Sequence, residues 1–303
     1  LRAEDWPSSQ VEGLYLRDGR HSHVLHPPTR GSLLPPDLSL ISEWAPYLND
    51  DVAIAARTVN AIGSEGCLRH CTFCSEPKSS GRTWLTRPES DITHTVGELL
   101  GRSGAQGLKF HDPNFFHDLA RALRIADGLT TYGIAWAATM HPEDLLQTPD
   151  KALSRLAATG LRRLLVGLES PNPRLVRLAG KQYDPQRIPE MAQRLAAVGV
   201  RGMFTFIVGW PDAEPEHYDL TIEMAQRIRR IWSEHQSKIH FLEPWPGTAM
   251  FTLLQRRGFR APQTLEEWAN NDYYLAQHAL FHDPSRAADV RAANQDLSPY
   301  VEA

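Results

Sequence analysis

Residues 67–74 read CLRHCTFC and contain all three cysteines of this 303-residue chain. Thiolates at four- and three-residue spacing can converge from one loop onto a single metal centre. An iron–sulfur cubane has four irons, so three thiolate ligands leave one iron free to bind a reactant. The segment therefore indicates a catalytic metal centre rather than an electron carrier.

A zinc site is the alternative interpretation of the same residues. Zinc held by three cysteines needs a fourth ligand to close its tetrahedral site. His70 is adjacent to Cys71, which makes it awkward for both side chains to reach one ion, but the chain has 13 histidines that include more distant ones. On this alternative the protein is a zinc-stabilised binding scaffold without catalytic activity.

The composition is that of a folded protein with a small-molecule function. The chain is 42% hydrophobic with a net charge of −4 at pH 7, which excludes intrinsic disorder and argues against nucleic-acid binding as its main role. Three cysteines are too few for a disulfide scaffold. No run approaches the ~20 apolar residues of a membrane span, and no signal segment follows Leu1. We expect a cytoplasmic location, a small-molecule substrate, and no nucleic-acid or membrane partner.

Strand-like and helix-like segments alternate from about residue 52 onward. Amphipathic helices are predicted between the strands, for example over residues 185–197 and 217–232. This alternation implies a parallel sheet covered by helices. The six units predict an α/β fold with a partial (β/α)6 TIM-like barrel, and a flat doubly wound sheet is the alternative. The predicted strands are residues 52–62, 107–110, 134–138, 164–168, 203–208 and 239–242.

The chain divides into three parts by composition. Residues 1–50 are rich in turn formers, with four prolines between positions 27 and 36, and are interpreted as a lead-in or linker. Residues 51–260 form the predicted barrel, and residues 261–303 a C-terminal helical extension. Because the sequence starts at Leu1 rather than Met, we interpret it as a piece of a longer protein.

The cysteine segment resembles a family signature. Cys67, Cys71 and Cys74, with aromatic Phe73 before the last cysteine, match the C-x3-C-x-aromatic-C pattern of radical S-adenosylmethionine (radical SAM) enzymes. The resemblance implies a 4Fe-4S cluster on these cysteines and S-adenosylmethionine (SAM) on its free iron. It also implies reductive cleavage of SAM to a 5′-deoxyadenosyl radical, with a one-electron donor such as flavodoxin or ferredoxin.

Two segments resemble the branch of this family that carries an N-terminal cobalamin-binding domain. Residues 110–115, FHDPNF, are similar to the D-D-N-F motif, with Pro113 in place of the second aspartate. Residues 167–170, GLES, followed by Lys181, are similar to the G-x-E-S…K segment. In relatives, polar groups in the latter segment help to hold SAM.

Two later segments resemble the same branch. Residues 207–211, IVGWP, are similar to the G-F-P-G-E-T turn, from which Trp210 and Asp212 depart. Residues 241–248, FLEPWPGT, are similar to the P-x-P-G-T segment. All these segments follow predicted parallel strands, where such folds place their sites. The resemblance implies a SAM site shaped by Phe73, Asp112, Asn114, Glu169, Ser170 and Gly209.

Each of these segments also has a purely structural interpretation. Asp112 and Asn114 are suitable caps for a helix that starts near Phe116. The Glu169-Ser170 pair is equally suited to the start of a helix, and residues 209–211 to a simple turn.

The resemblance implies a cobalamin-dependent methyl transfer to a weakly activated carbon or phosphorus of a small biosynthetic intermediate. A ring-forming or rearranging enzyme of the same branch is the alternative. The D-x-H-x-x-G segment of the common cobalamin carriers does not occur in this sequence. A cobalamin domain therefore either precedes Leu1 or is not part of this protein, and no residue is assigned to proton or hydrogen-atom transfer.

Overall fold

The computed structural model of the protein describes residues 35–51, 53–269 and 284–297. Its centre is a curled seven-stranded sheet with the order β1-β2-β5-β6-β7-β8-β9. β1 runs antiparallel to β2, and the other neighbouring pairs are parallel. The strands are β1 Leu48–Asp51, β2 Ala55–Ala61, β3 Ser64–Gly66, β4 Trp84–Thr86, β5 Gly107–Phe110, β6 Ala135–Thr139, β7 Leu161–Glu169, β8 Arg201–Val208 and β9 Gln236–Phe241.

Helices cover one face of this sheet and connect its parallel strands. None of the described helices is long and apolar enough to cross a membrane. The helices are α1 Glu76–Ser79, α2 Glu89–Ser103, α3 Leu119–Leu129, α4 Pro142–Gln147, α5 Asp150–Ala158, α6 Pro173–Leu178, α7 Ile188–Ala197, α8 His217–Ile231, α9 Ala249–Arg256, α10 Leu265–Ala269 and α11 Ala287–Leu297.

The predicted α/β half-barrel is confirmed. The six parallel strands follow one another across the sheet in chain order, whereas a doubly wound sheet reverses its strand order midway. The short strands β1, β3 and β4 were not predicted from the sequence. β1 reads LNDD and lacks the apolar alternation that identifies a strand, and β3 and β4 have three residues each and pair only with one another.

The core lies between the sheet and the helices. α7 buries the predicted stripe formed by Ile188, Met191, Ala192 and Leu195. α3 begins at Leu119 rather than at Phe116, because the carboxylate of Asp118 accepts a hydrogen bond from Arg121 N at 2.9 Å and caps the helix there. Phe116 is nevertheless buried in the core.

The open edge of β9 is covered by a side-chain amide. Asn294, on α11, accepts a hydrogen bond from Ile239 N at 2.8 Å and donates one to Ile239 O at 2.8 Å. These two bonds replace the ones that a further strand would make. Because an unpaired strand edge invites intermolecular pairing, the amide both stabilises and protects this side of the barrel.

Replacing Asn294 by alanine leaves both backbone groups of Ile239 without their partner. Ile239 is buried, so we expect N294A to lower the free energy of unfolding by about 1–3 kcal/mol in a urea titration. Gln295→Ala, one position along and exposed, is the matched control and should change it little. Equal effects of the two substitutions would contradict this role of Asn294.

Candidate active site

The three cysteines line one cavity at the carboxyl ends of the parallel strands. All three are free thiols, on the loop between β3 and α1. The cavity has a volume of about 470 Å³, within the roughly 300–1,000 Å³ of small-molecule sites. Each of five successive parallel strands contributes residues at or just after its end, including Asn114, His141, Glu169, Ile207 and Glu243.

Thr72 holds the cysteine loop between two helices. Its backbone N donates to Ala179 O at 3.0 Å, and its hydroxyl donates to Leu178 O at 2.7 Å. On the other side, Met250 N donates to Thr72 O at 2.9 Å. The carbonyls at the end of α6 and the first amides of α9 have no partners within their own helices. Thr72 therefore supplies hydrogen-bond partners to the end of α6 and to the start of α9, and these bonds fix the position of the loop.

Gly180 makes the close approach of the loop to α6 possible. Its φ of +78° lies in the left-handed region, and a Cβ at this position would lie 2.4 Å from His70 O. A side chain here would therefore push the backbone of the cysteine loop away from the helix. The position requires glycine for both space and conformation.

Arg69 anchors the same loop to a second side of the cavity. Its guanidinium bonds Glu143 Oε2 at 2.5 Å and also bonds Asp144, both in the first turn of α4. Asn114 Nδ2 donates to the other oxygen of Asp144 at 2.6 Å. These contacts connect the cysteine loop to the segments that follow β5 and β6. Acidic side chains are favourable at a helix N-terminus, where the helix dipole is positive.

Phe73 packs behind the loop against Trp210. The two rings meet edge to face with centroids 5.8 Å apart, and Trp210 Nε1 donates to Ile207 O at 2.7 Å. Trp210 is one of the two residues that depart from the expected turn after the fifth parallel strand. In this chain it supplies an aromatic wall that supports the cysteine loop.

Glu169 lies at an irregularity at the end of β7 and forms a buried ion pair with Lys181. The β7–β8 register shifts between Gly167 and Glu169, and Glu169 has a φ of +64°, a conformation that costs energy for a residue with a side chain. Lys181 Nζ donates to Glu169 Oε1 at 2.5 Å and to Gly167 O at 2.6 Å. Both charged side chains are buried.

The charges around the cysteines affect their ionisation. Burial raises the pKa of the Cys71 thiol to about 11, and the ammonium of Lys181 is the largest opposing influence. Burial also raises the pKa of Cys67 and of Cys74, and Arg69 and Lys181 respectively oppose it. Metal ligands are thiolates, and these two cations favour that form, whereas the carboxylates of Glu169 and Glu76 act against it.

Asp112 lies outside the cavity lining. Its carboxylate accepts hydrogen bonds from Gly63 N at 2.8 Å and Ser64 Oγ at 2.5 Å. Arg121 donates to Gly63 O at 2.7 Å. Burial raises the pKa of Asp112, and the hydrogen bonds that its carboxylate accepts from Ser64 Oγ and Gly63 N oppose that rise. The residue organises the turn that leads into β3 and so the start of the cysteine loop.

The structure brings together some of the residues implied by the resemblance and not others. Phe73, Asn114 and Glu169 line the cavity with the three cysteines, whereas Asp112, Ser170 and Gly209 do not. The capping alternatives are not realised, because α3 is capped by Asp118 and α6 by Asn172. Gly209 directly follows β8 with a φ of +78°.

The superfamily was settled by comparison with protein-family models. The model described as "Radical SAM superfamily" matches residues 62–225, more than half of the chain. This chain belongs to the radical SAM superfamily. The match starts just before the cysteine loop and extends through β8 into α8.

Individual relatives of this radical SAM chain are distant. An uncharacterised methyltransferase of Pyrococcus horikoshii is 25% identical over 190 residues, which are 62% of this chain and 40% of the relative. Cytidylyl-2-hydroxyethylphosphonate methyltransferase of Streptomyces wedmorensis is 24% identical over 159 residues, or 52% of this chain and 30% of that protein. The chain thus spans less than half the length of either relative.

One solved structure shows the same fold. The radical SAM methyltransferase TsrM from Kitasatospora setae, with tryptophan substrate and a SAM analogue bound, superposes with a TM-score of 0.57 at 18% identity. The superposition covers 68% of this chain and 40% of TsrM. TsrM has also been solved with cobalamin and a 4Fe-4S cluster bound.

Sequence reasoning missed the contribution of β6 to this radical SAM site. Thr139 ends that strand, Met140 and His141 follow it, and all three line the cavity. Their position at the carboxyl end of a parallel strand was the available signal. In the part of the chain that the structure describes, no three His, Cys, Asp or Glu side chains lie close enough together to hold one metal ion.

Gly180→Ala tests the packing of the cysteine loop. The new methyl group meets His70 O, so we expect a clear loss of iron bound after anaerobic reconstitution with iron and sulfide. Gly199→Ala is the matched control, because Gly199 has a similar φ of +69° with no atom within 4 Å of a Cβ. It carries the left-handed strain of about 1–2 kcal/mol without the clash. Equal iron contents in the two variants would refute the packing argument.

Lys181→Met tests the buried ion pair. The substitution leaves the Glu169 carboxylate buried without its partner, so we expect the free energy of unfolding to fall by about 3–5 kcal/mol in denaturant titrations. The exposed pair Arg187–Glu190 provides the control, since Arg187→Met should leave that free energy almost unchanged. A K181M protein as stable as R187M would show that the pair contributes nothing.

Proposed function

We propose that this protein is a radical SAM methyltransferase. Its cofactors are a 4Fe-4S cluster on Cys67, Cys71 and Cys74, SAM, and cobalamin, and it methylates a weakly activated carbon or phosphorus of a small biosynthetic intermediate. The observation that carries the proposal is the placement of three free thiols on one cavity at the open ends of the half-barrel strands.

The residues present suit an iron–sulfur cluster. The loop offers three thiols as donors, and Lys181 and Arg69 oppose the effect of burial on their ionisation. Arg69 is itself paired with Glu143 and Asp144, which fixes its guanidinium beside the cysteine loop. A cluster held by three thiolates supplies an iron for SAM and the electron that cleaves it.

The chain's own residues position the reactants and exclude water. Phe73, Asn114 and Glu169 line the cavity beside the cysteines, where we assign them to the SAM site. Asp112, Ser170 and Gly209 act on that site indirectly. Asp112 orders the turn before β3, and Ser170 accepts a hydrogen bond from Asn172 N at 3.0 Å at the start of α6. Gly209, with a left-handed φ of +78°, directs the chain out of β8.

The methyl-transfer part of the proposal is supported by the relatives. Two of them are named as methyltransferases, and TsrM is a methyltransferase that binds cobalamin. We assign residues 51–260 to the catalytic barrel and residues 261–303 to an extension of it. The chain spans only 40% and 30% of the two sequence relatives. The cobalamin-binding domain is assigned to a part of the protein outside this chain.

Anaerobic reconstitution tests the proposal directly. We expect about four irons and matching sulfide per chain, a brown chromophore, and reductant-dependent conversion of SAM to 5′-deoxyadenosine with reduced flavodoxin or ferredoxin. In the longer protein that carries the cobalamin-binding domain, loss of the methyl group leaves S-adenosylhomocysteine as a second product, whereas a ring-forming enzyme releases none.

Matched variants identify the ligands. Cys71→Ala should abolish the chromophore. Ser75→Ala should retain it, because Ser75 is exposed beside the same loop and its side chain makes no capping bond. Stoichiometric zinc without sulfide in protein purified without oxygen would contradict the catalytic assignment and favour a zinc-stabilised scaffold.

A further inference from the structure

A second cavity lies between α2, β2 and residues 36–47, and we call it the α2 cavity. Its volume is about 670 Å³, which is within the range of small-molecule sites. It shares no lining residue with the cysteine cavity. Most of its wall is apolar and buried, and includes Leu38, Val59, Ile92, Val96 and Leu99. The cavity is therefore a separate apolar site.

One buried cation belongs to the lining of this apolar cavity. Arg87 is only 5% exposed. Its Nη2 donates to Thr95 Oγ1 at 2.6 Å and to Asp91 O at 3.1 Å, which fixes the guanidinium against α2. Its Nε and Nη1 have no hydrogen-bond partner, and no carboxylate pairs with the guanidinium, among the described residues. Neither atom is fully buried, so both keep a surface that a ligand can contact.

The guanidinium of Arg87 is left with unused donors and without a counter-charge. The one N–H of Nε and the two of Nη1 remain after Nη2 has made its bonds. A buried charge without a partner is costly. Guanidinium groups bind the oxygens of carboxylates, sulfonates and phosphates particularly well. An apolar wall with one such cation is complementary to a molecule that has an apolar body and one anionic head group.

The other ionisable groups of the α2 cavity are His111 and Glu65. Burial lowers the pKa of His111, and Lys109 and Arg163 lower it further, so the ring is neutral at pH 7. The same two cations add a positive potential at that wall. Glu65 is the single carboxylate among the described lining residues, and it is exposed. It is the one group of the lining that opposes an anion.

We propose that the α2 cavity binds a small amphipathic anion. The apolar part of this ligand packs between α2 and β2, and its anionic oxygens accept hydrogen bonds from Arg87. The inference does not depend on the proposed methyl transfer, because the site uses no residue of the cysteine cavity. The site does contact the segment that leads into the cysteine loop, since Glu65 lies on β3, which ends at Gly66 directly before Cys67.

Two fluorescent probes of the same shape test for such a site. Anilinonaphthalene sulfonate has an apolar aromatic body and one sulfonate group, and N-phenylnaphthylamine is the same body without the charge. Both probes become brighter when they enter an apolar site, so each Kd is measured by fluorescence titration of the full chain. We expect the sulfonate probe to have the lower Kd.

Three substitutions identify the charges that act on the probe. Arg87→Gln should raise the Kd of the sulfonate probe about tenfold and leave that of the neutral probe unchanged. Glu65→Gln should lower the Kd of the sulfonate probe about twofold. Arg102→Gln is the matched control, because Arg102 is exposed in the last turn of α2, and it should change neither Kd.

The remaining outcomes each reject the inference. Equal Kd values of the two probes for the parent chain would show an apolar cavity that does not select anions. Equal binding of the sulfonate probe by R87Q and R102Q would show that Arg87 does not hold it. If R87Q unfolds at a lower temperature and loses both probes, E65Q decides, because Glu65 is exposed, and an unchanged Kd for the sulfonate probe rejects the site. Binding of neither probe to the parent chain also rejects it.

Discussion

The geometry of the whole site depends on how one irregular loop is held. The cysteine loop has no regular structure of its own, yet Thr72 is bonded to the end of α6 and the start of α9. Gly180 allows the loop to pack directly on the α6 end. Since both helices follow strands of the sheet, the position of the thiols is set by the half-barrel and not by the loop sequence alone.

The charged side chains of the cavity are paired. Lys181 is paired with Glu169, both of them buried, and the partly exposed Arg69 is paired with Glu143 and Asp144. Removing Lys181 or Glu169 would leave an unpaired buried charge, which is far more costly than the pair itself. The compensation therefore lets cations lie near the thiols, where they favour thiolate, without destabilising the fold.

One strained residue and one buried ring nitrogen without a partner belong to side chains that line the cysteine cavity. Glu169 adopts a left-handed conformation at a shift in the β7–β8 register, and the Nε2 atom of His141 is buried without a partner among the described residues. Features of this kind cost stability and persist where the surrounding structure enforces them.

The sequence by itself determined the superfamily, the order of the six parallel strands and the three cysteines that we propose as metal ligands. Those features depend on local spacing and on the periodicity of apolar residues, which are visible along the chain. Only the tertiary structure decided that Phe73, Asn114 and Glu169 face the cavity while Asp112, Ser170 and Gly209 lie behind it. It also added His141 and the edge strand β1. Which side of a strand end faces a cavity depends on contacts between residues far apart in sequence, and no local pattern records those contacts.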